Sequence, residues 1–112
     1  MEELWTLGSG KRKRKFRADF RSGDFLTIKT GKLGYGMKLS RSEYGDMIEH
    51  FRGRGEFRLG NQIDNVCKGG LGEYFQKELK RSPKYASHFA RIMVELKDAG
   101  IVGKNPLMLK IL

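Results

Sequence analysis

Residues 35–53 read Tyr-Gly-Met-Lys-Leu-Ser-Arg-Ser-Glu-Tyr-Gly-Asp-Met-Ile-Glu-His-Phe-Arg-Gly, and the change of period inside them sets the fold class. Up to Leu39 the apolar positions alternate: Tyr35, Met37 and Leu39 share one face, as in a half-buried strand. From Ser40 onward the period becomes helical. Tyr44, Met47, Ile48 and Phe51 fall at i, i+3, i+4 and i+7 and make one stripe. Ser40 followed three residues later by Glu43 is a capping box, in which each side chain satisfies a free backbone N–H of the first turn. Gly53 ends the helix. His50, near that end, is read as facing the helix dipole or solvent. A strand that runs into a capped amphipathic helix predicts an α+β fold in which the helix covers the inner face of a sheet.

Upstream, the alternation continues. Phe16, Ala18 and Phe20 take one face, and Arg17, Asp19 and Arg21 the other. After the turn at Ser22-Gly23-Asp24, Phe25 to Thr30 forms a second strand with Leu26 and Ile28 inward and Phe25, Thr27 and Lys29 outward. The short connection predicts an antiparallel hairpin. Gly31 to Gly34 turns the chain into the strand at Tyr35. Glu3 to Leu7, around Leu4, reads as either a first short strand or an N-terminal strap.

Downstream, Glu56 to Leu59 reads as a short strand, and Gly60 to Gly70 as a polar loop between two sub-parts, 1–60 and 61–112, of one domain. Leu71 to Leu79 is a short helix. Ser82-Pro83 opens another, with Ser at the cap and Pro in the first turn. Its stripe is Tyr85, Phe89, Ile92, Met93 and Leu96, and Gly100 is expected to end it. Ile101-Val102, a turn at Gly103 to Pro106, and Leu107 to Leu112 complete the chain as a hairpin. The expected architecture is an antiparallel sheet of three to five strands packed by a helix, then two helices and a C-terminal β-hairpin.

The charge is unevenly placed. The 112 residues carry 23 Lys and Arg against 13 Asp and Glu, for a net charge of +10. Between Lys11 and Arg41 stand eleven cations and only two acids, Asp19 and Asp24, so this stretch holds nearly the whole excess. It opens with Lys11, Arg12, Lys13, Arg14 and Lys15 in succession. Strands rich in cations and aromatics beside a basic arm point to a polyanionic partner, most simply DNA or RNA. Twelve aromatics in all argue against a disordered chain. The single cysteine, Cys67, excludes an internal disulfide and agrees with a reducing compartment. The first residues lack the layout of a secretory signal, and no apolar run approaches the roughly 18–20 residues that span a bilayer. An intracellular setting is expected: cytoplasm or nucleoid, or the nucleus in a eukaryote.

The order of strands from Leu4, Phe16, Phe25 and Tyr35 followed by the helix from Arg41 resembles the four-strands-then-helix module of the Pur and Whirly families. The likeness covers residues 3–52. It rests on element order, on Phe16, Arg17, Phe20, Phe25 and Lys29, and on Ser40-x-x-Glu43 at the helix start. It implies a sheet face that binds single-stranded nucleic acid, with outward aromatics against bases, cations against phosphates, and a homodimer as the assembled form. The second half resembles the helix-and-wing end of winged-helix proteins, on Ala86 to Met93 running into Ala99 to Val102. That likeness implies a duplex-DNA-binding regulator with Lys84, Ser87, His88 and Arg91 on an exposed face. A third reading is an assembly module whose basic surface meets an acidic partner or ribosomal RNA.

Catalytic signals are weak. Gly8 to Arg12 lacks the leading Gly and closing Ser/Thr of a phosphate-binding loop. Glu78-Leu79-Lys80 and Glu95-Leu96-Lys97, with Asp64 upstream, have the spacing of a metal-dependent nuclease but fall on expected helices. Isolated His50 and His88 with one cysteine suggest no zinc site and no Cys–His dyad. The expectation is a nucleic-acid-binding protein without catalysis, metal or other cofactor, and without a membrane partner. Its contact residues are Lys11, Arg12, Lys13, Arg14, Lys15, Arg17, Arg21, Phe25, Lys29, Lys32 and Lys38 on the arm and sheet, with Lys84, His88 and Arg91 on the later helix.

Overall fold

The computed structural model describes residues 1–7, 13–31, 35–60, 68–104 and 107–112. The first four strands are β1 (Glu2–Trp5), β2 (Lys15–Asp19), β3 (Phe25–Thr30) and β4 (Tyr35–Ser40), followed by helix α1 (Arg41–Arg52). Strand β5 (Glu56–Arg58), helix α2 (Leu71–Lys77), a 3-10 turn (Pro83–Tyr85), helix α3 (Ala86–Glu95), and strands β6 (Ala99–Lys104) and β7 (Leu107–Ile111) complete it. The protein is α+β, with two antiparallel sheets instead of one. The first has the order β1-β2-β3-β4 and the second β5-β7-β6.

Alternation gives the first sheet its two faces. Leu4, Phe16, Ala18, Leu26, Ile28 and Leu39 are buried on the inner side. Helix α1 packs against β3 and β4 of this sheet and against β7 of the other, while α3 packs against β1 and β6. Both helices therefore bridge the sheets, and the buried side chains of all these elements form one core. The α1 stripe of Tyr44, Met47, Ile48 and Phe51 is buried.

The cap of α1 is formed as a reciprocal pair. Ser40 Oγ accepts from Glu43 N at 3.0 Å, and Glu43 Oε1 accepts from Ser40 N at 2.9 Å. Ser40→Ala removes one of the two bonds and is expected to lower stability by on the order of 1 kcal/mol in denaturant melts. Arg41 closes the preceding turn from outside: its guanidinium donates to the Phe20 and Gly23 carbonyls at 3.0 and 2.8 Å. One cation of the basic stretch is thus spent on architecture.

The second sheet revises the division at Gly60. Strand β5 precedes that loop, yet it pairs with β7, with Glu56 opposite Lys110 and Phe57 opposite Leu109. The two sub-parts are interleaved through this sheet. The start of α2 is fastened to the end of β5 by Gly72 N donating to Leu59 O at 2.7 Å. A side chain at Gly72 has no room, because its Cβ falls 1.9 Å from Gly60 O.

Helix α3 ends earlier than Gly100. Lys97 takes a left-handed conformation, φ 64°. Lys97 N donates to Val94 O at 3.0 Å, and Asp98 N to Met93 O at 2.9 Å. This is a Schellman closure with lysine where glycine is usual, and Gly100 falls inside β6. His50, in the last turn of α1, is half-buried. Its ring lies 4.7 Å from Tyr74 and 4.8 Å from Phe51 between centroids. Burial, then the charge of Arg54, holds its pKa below the ordinary value, so it adds no positive charge to the helix end at neutral pH.

Candidate nucleic-acid interface

The outer face of the first sheet is built by register. Arg17 stands opposite Lys29, which faces Gly36; Thr27 faces Lys38; Trp5 stands opposite Lys15, and Glu3 opposite Arg17. Side chains on one strand alternate, so these residues all project from the side opposite the core. Lys15, Arg17, Lys29 and Lys38 are exposed there. Phe25 and Trp5 are exposed large side chains at 44% and 50%. Gly36 carries no side chain for a steric reason: a Cβ there falls 1.8 Å from Ile28 O. It leaves the ground beside Lys29 open.

Two lysines lie over these aromatic rings. Lys38 Nζ is 4.4 Å from the Phe25 centroid, and Lys15 Nζ is 5.6 Å from that of Trp5. A cation over a ring is held by the quadrupole while its other side stays open to an anion. Lys15 also pairs with Glu3 at 3.2 Å. No carboxylate among the described residues pairs with Arg17, Lys29 or Lys38. Lys15, Arg17 and Lys29, with Glu3, Phe16 and Gly31, line an open cleft of about 290 Å³. Three cations and one carboxylate give it a net positive field that suits a phosphate.

The described end of the basic run, Lys13 to Lys15, meets this face at one corner. Thr6 N donates to Arg14 O and Arg14 N to Thr6 Oγ1, both at 2.9 Å. The pair ties the residue before β2 to the end of β1, next to Trp5. Lys13 and Arg14 are exposed there. Lys11, Arg12 and Lys32 lie outside the described residues, as do Asp64 and Cys67.

Arg21 is differently engaged. It bonds Glu2 at 2.6 Å and approaches Glu95 at 3.9 Å. Its pKa is raised, first by the Glu2 hydrogen bond and then by the charges of both acids. It fastens β1 to the end of α3 instead of standing free.

The later helix does not present the expected exposed face. Ser87 is buried at 6% exposure, and Arg91 bonds Glu95 at 2.8 Å. His88 is half-buried against Phe16 of β2, 4.9 Å between centroids. Burial lowers its pKa to about 4, with the Lys84 backbone acting the other way and the Lys84 charge adding a small decrease. Only Lys84 is exposed, over Tyr85 at 5.0 Å. Helix α3 packs against both sheets, through β1 and β6, and His88 meets Phe16 of β2.

His88 gives a pH signature. Unfolded, it takes a proton near pH 6.5; folded, it resists until about pH 4. Below its unfolded pKa the unfolded state binds more protons, so stability falls as pH drops from about 6.5 to about 4 and then levels for this group. The loss amounts to about 2 kcal/mol once solvent screening is allowed for. His88→Gln is expected to flatten that part of the stability–pH curve, measured by denaturant melts at fixed ionic strength.

No protein-family model, curated protein or solved structure matches this chain.

Of the residues with nuclease spacing, Glu78 and Lys80 follow the end of α2, Glu95 closes α3 and Lys97 follows it, and Asp64 lies outside the described residues. Glu95 is taken by two arginines. No group of three His, Cys, Asp or Glu that could hold a metal occurs among the described residues. No helix among them is long and apolar enough to cross a membrane.

The sequence reading missed Trp5. It lay in a short apolar stretch with no clear period. Its outward direction follows only from the pairing of Glu3 with Arg17 and Trp5 with Lys15.

Proposed function

We propose that the protein binds nucleic acid, preferring single strands, on the outer face of the β1-β2-β3-β4 sheet with the Lys11–Lys15 arm beside it. One observation carries this reading: exposed Arg17, Lys29 and Lys38 have no acidic partner among the described residues and share a face with exposed Phe25 and Trp5. The cations neutralise backbone phosphates, and the rings stack on bases. Stacking requires bases freed from a duplex, and this is the reason for the single-strand preference. No chemistry on the bound strand is part of this reading. An intracellular setting goes with it.

The duplex reading through α3 is the weaker one, because Ser87 is buried and Arg91 is ion-paired. A binding panel of single-stranded DNA, RNA and duplex DNA across salt separates them. Phe25→Ala is expected to weaken single-strand binding by roughly 1–3 kcal/mol. Arg91→Ala, once shown to fold, is expected to leave all three ligands nearly unaffected. Loss of duplex binding in Arg91→Ala alone overturns the sheet reading and installs the helix one.

A further inference from the structure

The two aromatic–lysine pairs stand at opposite corners of the sheet. Trp5 is level with Lys15, and Arg17 with Lys29, so Phe25 lies six residues farther along the strand direction and two strands across. At strand dimensions this is about 20 Å along and roughly 10 Å across. The cleft of Lys15, Arg17 and Lys29 begins at the Trp5 corner and runs toward Phe25.

We infer that this face carries one diagonal single-strand track with a base-stacking station at each end, Trp5 with Lys15 and Phe25 with Lys38, and a phosphate seat between them. The inference rests on the proposed nucleic-acid binding and adds an occupant, a direction and a length to it. Each station has the same two parts, a ring for a base and an ammonium group for the adjoining phosphate. Acids bound the track without blocking it. Glu3 is neutralised by Lys15, and Asp19 stands beside Thr27 in the outer row. Gly36, opposite Lys29, adds no side chain of its own there. A strand covering the diagonal needs about seven nucleotides at the 3.4 Å spacing of a stacked strand, and fewer when extended. This agrees with site sizes of about 4–16 nucleotides on comparable sheet surfaces.

Trp5 is the only tryptophan, so its emission reports on its own station. The test titrates the protein with single-stranded oligonucleotides of increasing length, and with inorganic polyphosphate as a polyanion without bases. Oligonucleotides are expected to quench Trp5, while polyphosphate binds without quenching. Affinity is expected to climb with length up to about four to seven nucleotides and then to level. Trp5→Ala, followed by anisotropy of a labelled oligonucleotide, is expected to lose about 5- to 150-fold in affinity, with Trp5→Phe restoring most of it. Phe25→Ala is expected to keep the quenching but to bring long oligonucleotides down to the affinity of short ones. Salt-dependent binding with no base-specific quenching and full affinity in Trp5→Ala overturns the track and leaves the proposed function standing. Absence of oligonucleotide binding at any salt overturns both.

Discussion

Phe51→Ala is expected to destabilise the fold by about 3–5 kcal/mol, the largest effect of any single substitution considered. Phe51 is 1% exposed and closes the apolar stripe of α1. Its ring stacks on Phe57 of β5 at 4.3 Å and meets Tyr74 of α2 at 5.6 Å. Truncation leaves a cavity at the point where α1 touches β5 of the second sheet and α2. Three elements converge there, and collapse around the void is restricted, so the cost stays near the upper part of that range. Denaturant melts check the size of the effect. Phe25→Ala serves as the contrast: its exposed ring supports little of the core, and the change is expected to stay within about 0.5 kcal/mol. Equal losses in the two variants would mean that α1 does not bury the face assigned to it.

Replacing Lys11 to Lys15 with serine is expected to produce the largest loss of nucleic-acid affinity. Each phosphate neutralised on a single strand contributes about 0.7 to the logarithmic salt slope. Lys15 shares its charge with Glu3, so the segment offers four to five phosphate contacts. The slope is expected to fall by about 2.8–3.5, and affinity near 0.1 M salt by roughly three decades. Fluorescence anisotropy across a salt series measures both. An unchanged slope would show that the arm makes no phosphate contact and that Arg17, Lys29 and Lys38 carry the electrostatics alone. The two variants probe different links of the chain: one weakens the fold with the surface intact, and the other removes charge from a fold that keeps its core.

What was legible in the sequence followed from local rules. The capping box at Ser40 and Glu43 formed as its spacing required. Alternation gave the outward direction of Phe25 and the inward one of Leu26 and Ile28. What was not legible depended on distant partners. Nothing in Glu56–Arg58 signals that its partner is β7 and not the first sheet. The burial of Ser87 was hidden because a helical stripe is read from large apolar residues. Ala86, Ser87 and Ala90 are small, and they let a neighbouring element approach a side that looked polar. Lys97 took a position that glycine usually fills, so the end of α3 was displaced toward Gly100. Among the candidate contacts, charge alone did not separate free cations from occupied ones. Arg17 and Arg21 share a strand pattern, yet Glu2 and Glu95 claim only Arg21.

The second sheet has its middle strand last in chain order. The pairing of Glu56 with Lys110 spans about half the chain, whereas every pairing in the first sheet joins consecutive strands. Long closures lose more chain entropy before any contact forms, so they come late on the route to the native state. The meander β1 to β4 with α1 is therefore expected to form first, with the side of α1 that meets β7 then serving as a template for the rest. Substitutions across the β5–β7 pairing should therefore speed unfolding while leaving the refolding rate nearly constant, whereas those inside β2 and β3 should slow refolding. On that order the meander is expected to present Arg17, Lys29 and Phe25 on its outer face early, so the surface proposed for nucleic acid would be assembled before the fold that supports it is finished.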